Sequence, residues 1–224
     1  IYYQSSPWRA TWKGEGGGVL MNQCPHNIDV LQWLVGMPSS VRANCSFGKY
    51  HDIEVEDEVN AYFEFPNGAT GQFSASTGES PGTNRLEIVG DLGTIITDGN
   101  EVKLIRNSES VSRFSRTTDE MFGTPETTEE IFKPAESVNQ HAAILNNFVQ
   151  AAHGKAELIS PASEGLKSLE LAGAMIYSTW TNGTVKLPLN SAAYHAAMNE
   201  RISKSKPREI VQTAAKVDMS KSYR

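Results

Sequence analysis

Apolar positions along the chain first follow a helical period and then a strand period. Leu20, Cys24, Ile28, Leu31 and Val35 fall at steps of four, four, three and four, the spacing of one helical face. Gly36 and Pro38 end that helix, glycine as the residue past its last turn and proline as the stop. The period then drops to two. Val41, Ala43, Cys45 and Phe47 alternate with other residues, as do Val59, Ala61, Phe63 and Phe65. Pro66-Asn67-Gly68 is a turn, and Ala69, Gly71, Phe73 and Ala75 form the returning strand of a hairpin. Arg85–Val89, Thr94–Thr97 and Glu101–Arg106 continue the pattern between the turns Gly90-Asp91-Leu92-Gly93 and Asp98-Gly99-Asn100. Parallel pairing needs long crossovers, so short strands joined by tight turns predict an antiparallel meander.

Residues 107–137 are rich in Ser, Thr and Glu and read as a long surface excursion. Two helices are predicted next. Val138–His153 carries Ala142, Leu145, Phe148, Val149 and Ala152 on one stripe. Residues 161–181, with Ser160 as cap and Pro161 at the first position, bury Leu166, Leu169, Gly173, Ile176 and Trp180. Val185-Lys186-Leu187-Pro188 reads as an edge strand, where proline is tolerated. From Asn199 the chain turns basic (Arg201, Lys204, Lys206, Arg208, Lys216, Lys221, Arg224) and is expected to be a tail or arm. At the other end, a turn at Ser6-Pro7 leads into Trp8, Arg9, Trp12 and Lys13, followed by the flexible break Gly14-Glu15-Gly16-Gly17-Gly18.

The elements sum to an α+β fold: a largely antiparallel, open-faced sheet with helices packed on one face. The expected division is a domain over residues 1–190 and a basic tail over 191–224. The sheet's second face needs cover from a partner, which suggests a homodimer or tetramer through the sheet.

Composition narrows the classes of function. The net charge of −6 and pI near 5.4 argue against nucleic acid as the main partner. The two cysteines, Cys24 and Cys45, imply no disulfide framework, and a reducing, cytoplasmic setting is expected. No apolar run approaches the roughly 20 residues that cross a membrane. The chain opens on Ile1-Tyr2-Tyr3-Gln4 without an initiator Met, which reads as a fragment whose upstream part has been removed.

Chemistry concentrates around the first helix. Asn22, His26, Asp29 and Trp33 lie four, three and four apart, on a face distinct from the apolar stripe. Pro25 lacks an N–H and fits only a first turn, which predicts a helix start near Asn22. Asn22 reads either as an N-cap or as a ligand contact. Histidine is the side-chain type suited to the acid/base role that a hydroxyl–carbonyl interconversion requires, and His26 sits by a helix start whose N–H groups favour an anionic or hydroxyl-bearing ligand. Asp29 is expected to anchor a backbone N–H or His26. The triple glycine is not a dinucleotide fingerprint, because no G-x-G-x-x-G follows a strand. A metal reading through Cys24, His26, Cys45 and His51 lacks a usual ligand spacing. His141 is a weaker pocket candidate, and His51, His153 and His195 carry no assignment.

The run from Gly16-Gly17-Gly18 through Asn22, His26 and Asp29 to Gly36 resembles the glucose–fructose oxidoreductase/inositol dehydrogenase (Gfo/Idh/MocA) family. Tyr2-Tyr3-Gln4-Ser5-Ser6-Pro7-Trp8-Arg9, Glu56-Asp57, Phe65–Ala69, Leu86–Thr94, Pro161-x-x-Glu164-Gly165 and Val185–Pro188 extend the resemblance over about residues 1–190. It implies a glyceraldehyde-3-phosphate dehydrogenase-like C-terminal domain without its N-terminal Rossmann domain. It implies hydride transfer between NAD or NADP and a sugar, nucleotide-sugar or cyclitol carbon. His26 would handle the hydroxyl proton and Asn22 would hydrogen-bond the substrate. Tyr3, Arg9, Trp12, Lys13 and His141 are expected substrate contacts, the cations as donors and the indole as a stacking face. The family's Glu-Lys-Pro lysine and phosphate-binding glycines belong to the first domain. The chain alone is therefore expected to be inactive, and a non-catalytic ligand-binding or oligomerisation module is the alternative.

Overall fold

A computed structural model of the chain describes residues 2–98, 101–133 and 139–206. A short 3-10 turn, Tyr2–Gln4, precedes helices α1 (Val19–Asn22) and α2 (Pro25–Val35). Strands β1 (Ser40–Phe47), β2 (Glu56–Glu64), β3 (Thr70–Ser76), β4 (Arg85–Gly90), β5 (Gly93–Asp98) and β6 (Glu101–Asn107) follow. Then come α3 (Val111–Thr117), β7 (Thr127–Phe132), α4 (Gln140–Ala152), α5 (Gly165–Thr181), β8 (Val185–Lys186) and α6 (Ser191–Lys204). Contacts divide the chain into one unit of Ile1–Glu79 with Ser160–Arg224 and a second of Ser80–Ile159.

The first unit holds an antiparallel sheet of order β3-β2-β1-β8. The period-two residues Val41, Ala43, Cys45, Val59, Ala61 and Phe63 fill its inner face, against Leu20, Ile28, Leu171, Met175 and Ile176 from the helices. Partners on the outer face, such as Arg42, Tyr62 and Gln72 or Asn44, Asn60 and Ser74, are exposed. Beyond its short pairing with β8, the edge of β1 is closed by α5. Ser178 Oγ accepts from Ala43 N (2.8 Å) and Thr179 Oγ1 from Cys45 N (2.8 Å), so two hydroxyls stand in for a missing strand.

The second unit is a separate antiparallel sheet of order β4-β5-β6-β7, so the predicted meander is divided in two. The break falls after β3, at Gly78-Glu79-Ser80-Pro81-Gly82, where proline offers no N–H to a ladder. The expected excursion over 107–137 contains real elements. Ser110 Oγ accepts from Arg113 N to start α3, and β7 pairs along β6 from Asn107↔Thr127 to Val102↔Phe132. Asn139 caps α4, whose stripe residues Leu145, Phe148 and Val149 are exposed.

Other expectations need correction. The helix predicted from 161 begins at Gly165, after a turn in which Glu164 N bonds to Pro161 O. Its buried face is Ser168, Leu171, Ala172, Gly173, Ala174, Met175, Ile176 and Ser178, while Leu166 and Leu169 are 66% and 57% exposed. Small residues win the inner face because the helix lies close to β1 and to the next helix; a Cβ at Gly173 would sit 3.4 Å from both Leu189 and Tyr194. Residues 191–204, expected to begin the tail, are α6, so the boundary at 190 lies inside the first unit. Tyr194 stacks on Trp180 (5.8 Å between centroids), the Arg201 guanidinium lies 3.8 Å above the same indole, and Lys206 N bonds to Glu54 Oε1 (2.7 Å). Ile1, Gly99, Asn100, Val138, Arg208, Lys216, Lys221 and Arg224 lie outside the described residues.

Ser178→Ala strands the buried Ala43 N–H without its acceptor. Urea unfolding of this variant is expected to show a loss of about 1–3 kcal/mol relative to wild type.

Candidate functional site

The site is assembled around a glycine-lined turn clamped from below by β2. Glu56, fully buried, accepts on Oε1 from Gly18 N (2.8 Å) and Leu20 N (3.1 Å). The approach leaves no room for a side chain, since a Cβ at Gly18 would lie 2.0 Å from Glu56 O. Gly16 turns the chain at φ +75, a region that side-chain-bearing residues rarely adopt. The segment expected to be a flexible break is therefore a packed turn, with Gly17 and Gly18 buried. Its Gly18 N–H is committed to Glu56, and its Gly14 and Gly16 N–H groups to Thr11.

The clamp starts α1, which ends at Asn22, and a second start at Pro25 makes α2. Asn22 is thus the last residue of α1 and caps nothing, while Cys24 takes the N-cap position of α2. Pro25 occupies the first turn, as its missing N–H requires, and delivers His26 exposed on that turn. Asp29 Oδ1 accepts from Ser168 Oγ (2.9 Å) and Gln32 Nε2 (2.9 Å), which ties α2 to α5. Between these helices lies a cleft of about 360 Å³, lined by His26, Pro25, Asp29, Leu166, Leu169 and Ala172 among others. Leu166 and Leu169, assigned to the core by periodicity, are walls of this cleft.

Asn22 belongs to a polar cluster built from the N-terminal segment. Tyr2 Oη donates to Asn22 Oδ1 (2.7 Å), Arg9 Nη1 donates to Tyr2 Oη (2.7 Å), and Asn22 Nδ2 donates to Glu15 Oε1 (2.5 Å). The Arg9 guanidinium also lies 4.5 Å from the Tyr2 ring centroid. Sequence reasoning missed Glu15, which it had placed in a flexible break, and Tyr2, which carried no periodic signal.

Other predicted contacts are dispersed. Tyr3 packs edge-on against His51 (4.9 Å) and accepts from Gln23 Nε2 (3.4 Å), and burial holds its hydroxyl above the usual tyrosine range. Trp12 is 8% exposed, edge-on to Phe47 and Trp180, so its indole is a core residue. Lys13 is exposed, with its backbone N–H toward Ser205 Oγ (3.4 Å). His141 stands in the first turn of α4, in the second unit. Among the described residues no group of three or more His, Cys, Asp or Glu side chains is placed to hold a metal. No described helix is long and apolar enough to cross a membrane.

Burial pushes the Glu56 carboxyl up to about 7, although the N–H groups of Gly18 and Leu20 pull it down; its Oε2 is buried without a hydrogen-bond partner among the described residues. An unfolded glutamate titrates near about 4.3, so between there and about 7 the folded chain holds a proton that the unfolded chain has released. The stability this contributes is complete below about 4.3 and is lost as pH rises through about 7. The stability of wild type relative to Glu56→Gln is expected to fall across that window, by roughly 1.4 kcal/mol per pH unit at most, in urea melts at stepped pH.

Comparison with known proteins places this geometry. Residues 2–96 match the family described as the GFO/IDH/MocA C-terminal domain. The WlbA dehydrogenase of Bordetella pertussis, solved with NADH and UDP-GlcNAcA, is similar at TM-score 0.64 and 28% identity, over 84% of this chain and 50% of that one. WlbA of Chromobacterium violaceum, solved with the same two ligands, gives TM-score 0.66 and 29% identity over 84% and 51%. An aldose-aldose oxidoreductase of Caulobacter crescentus, solved with glycerol, gives TM-score 0.60 and 25% identity over 80% and 50%. The chain thus spans about half the length of these structures. No curated protein matches it. Over residues 2–96 the chain is similar to the C-terminal domain of the Gfo/Idh/MocA family.

Proposed function

We propose that the chain is the substrate-binding half of an NAD(P)-dependent oxidoreductase that interconverts hydroxyl and carbonyl on a sugar, nucleotide sugar or cyclitol. The observation that carries this reading is His26 in the first turn of α2, exposed on the wall of a cleft that Leu166 and Leu169 line on the opposite helix. In this reading His26 takes the hydroxyl proton as a hydride leaves the same carbon, and returns it in the reverse direction. The Asn22 amide hydrogen-bonds the substrate oxygen, and the two leucines exclude water from the reacting carbon. Tyr3, Arg9 and Lys13 are peripheral substrate contacts, and the burial of Trp12 argues for a structural role there. UDP-GlcNAcA in the WlbA structures supports the nucleotide-sugar branch of the substrate class.

The nicotinamide, when bound, supplies or accepts the hydride. The glycine turn of this chain does not fit the cofactor's pyrophosphate, because its N–H groups at Gly18 and Leu20 are held by Glu56. NAD or NADP would be bound mainly by a Rossmann domain, and the chain alone would not turn over. The exposed outer face of the first sheet supports assembly into a homodimer or tetramer, and the two buried free cysteines support a reducing, cytoplasmic setting. His141 is kept as a weaker contact.

His26→Ala in the full-length protein is expected to lower turnover about 10²-fold or more, the scale of an acid/base group, with substrate binding largely kept. Turnover near wild type would remove His26 from the chemistry. Ligand binding by wild type with no hydride transfer to either nicotinamide cofactor would favour the non-catalytic module.

A further inference from the structure

Four side chains leading into the His26 helix close a ring of polar contacts. Arg9 Nη1 donates to Tyr2 Oη, which donates to Asn22 Oδ1, and Asn22 Nδ2 donates to Glu15 Oε1. The ring closes where Glu15 Oε1 comes within 3.9 Å of Arg9 Nη1. All three hydrogen bonds point the same way, from a guanidinium to a carboxylate, so each polarises the next. Glu15 is itself pinned. Its other oxygen accepts from Ala10 N (2.7 Å), and its side chain is only 9% exposed. Turning the Asn22 amide over would set its oxygen against the Glu15 carboxylate, two acceptors in contact, and take from the Tyr2 hydroxyl proton its acceptor. The amide therefore has one orientation, and its second N–H has no partner among the described residues.

We propose that Glu15 is a positioning residue that locks the polarity of Asn22, so that the second Nδ2 N–H is held as a fixed donor for a hydroxyl or carbonyl oxygen of the ligand. The proposal rests on the reading of Asn22 and His26 as the ligand site. It explains why residue 22 must be neutral: an aspartate there would place two carboxylates in contact, and one would have to take up a proton. Asn22→Asp is then harmful only while residue 15 is also an acid. Glu15→Gln restores a carboxylate–amide pair with its members exchanged.

The test is a set of four chains, wild type, Glu15→Gln, Asn22→Asp and the double variant, with ¹⁵N in their asparagine side chains. In wild type, one Asn22 Nδ2 proton is expected well downfield of free side-chain amides, moving back toward them in Glu15→Gln. Asn22→Asp is expected to lower the urea midpoint at pH 7, and the double variant to recover at least half of the loss. An Asn22 resonance that Glu15→Gln leaves unmoved would overturn the lock, as would a double variant no better than Asn22→Asp. In the full-length protein, Glu15→Gln is expected to lower kcat/KM about tenfold, the scale of one charge-assisted hydrogen bond; an unchanged kcat/KM would cut its link to the ligand. The spectra do not depend on turnover, so they still decide the lock if the oxidoreductase reading fails.

Discussion

Two adjacent buried carboxylates at the start of β2 hold the site in place. Successive strand residues point to opposite faces, so Glu56 and Asp57 reach in different directions. Glu56 clamps Gly18 and Leu20 and so sets α1. Asp57 gathers the backbone N–H groups of Lys49, Tyr50 and His51 at 2.7–3.0 Å, and the His51 ring at 3.3 Å, against which Tyr3 packs. A buried carboxylate is costly unless hydrogen bonds replace its water. Asp57 uses both oxygens in this way. Glu56 uses one and leaves the other without a partner among the described residues, and burial dominates its titration. The glycine at position 18 follows from the same clamp, because nothing larger fits against the β2 backbone.

From that clamp the order of construction runs outward. The turn sets α1, the break at Gln23-Cys24 restarts the helix at Pro25, and the restart points His26 away from the core. Asp29 then fastens α2 to Ser168 of α5, which fixes the width of the cleft. The same α5 seals the sheet edge with Ser178 and Thr179, so one helix serves both the sheet and the site. Polar side chains on a buried helix face are tolerable here because each finds a partner: Ser178 Oγ also donates to Gly183 O (2.6 Å).

Much of this was legible from residue order. The alternation over Val41–Phe47 and Val59–Phe65 located β1 and β2, Pro66-Asn67-Gly68 located their hairpin to β3, and Pro25 announced a first turn near His26. Other features were hidden for physical reasons. Leu166 and Leu169 satisfy a helical stripe but face the cleft, because close packing of α5 selects Ala172, Gly173 and Ala174 for its inner side. The basic character of Arg201, Lys204 and Lys206 suggested a solvated tail, whereas the Arg201 guanidinium gains an indole face and the Lys206 backbone N–H a carboxylate from distant segments. Glu15 and Glu56 lie 41 positions apart in the chain and carry no local signal of their shared neighbourhood.

The sequence by itself determined strands β1 to β6, their antiparallel pairing and the helix that carries His26, since these follow from short-range periodicity, turn residues and the backbone limits of proline and glycine. Only the tertiary structure decided which polar groups meet. That Gly18 of the glycine turn is held by a buried glutamate, that Asn22 sits in a ring with Tyr2, Arg9 and Glu15, and that two leucines line a cleft all depend on contacts between distant segments. Such contacts are set by how helices settle on a sheet, and residue spacing along one segment does not encode them.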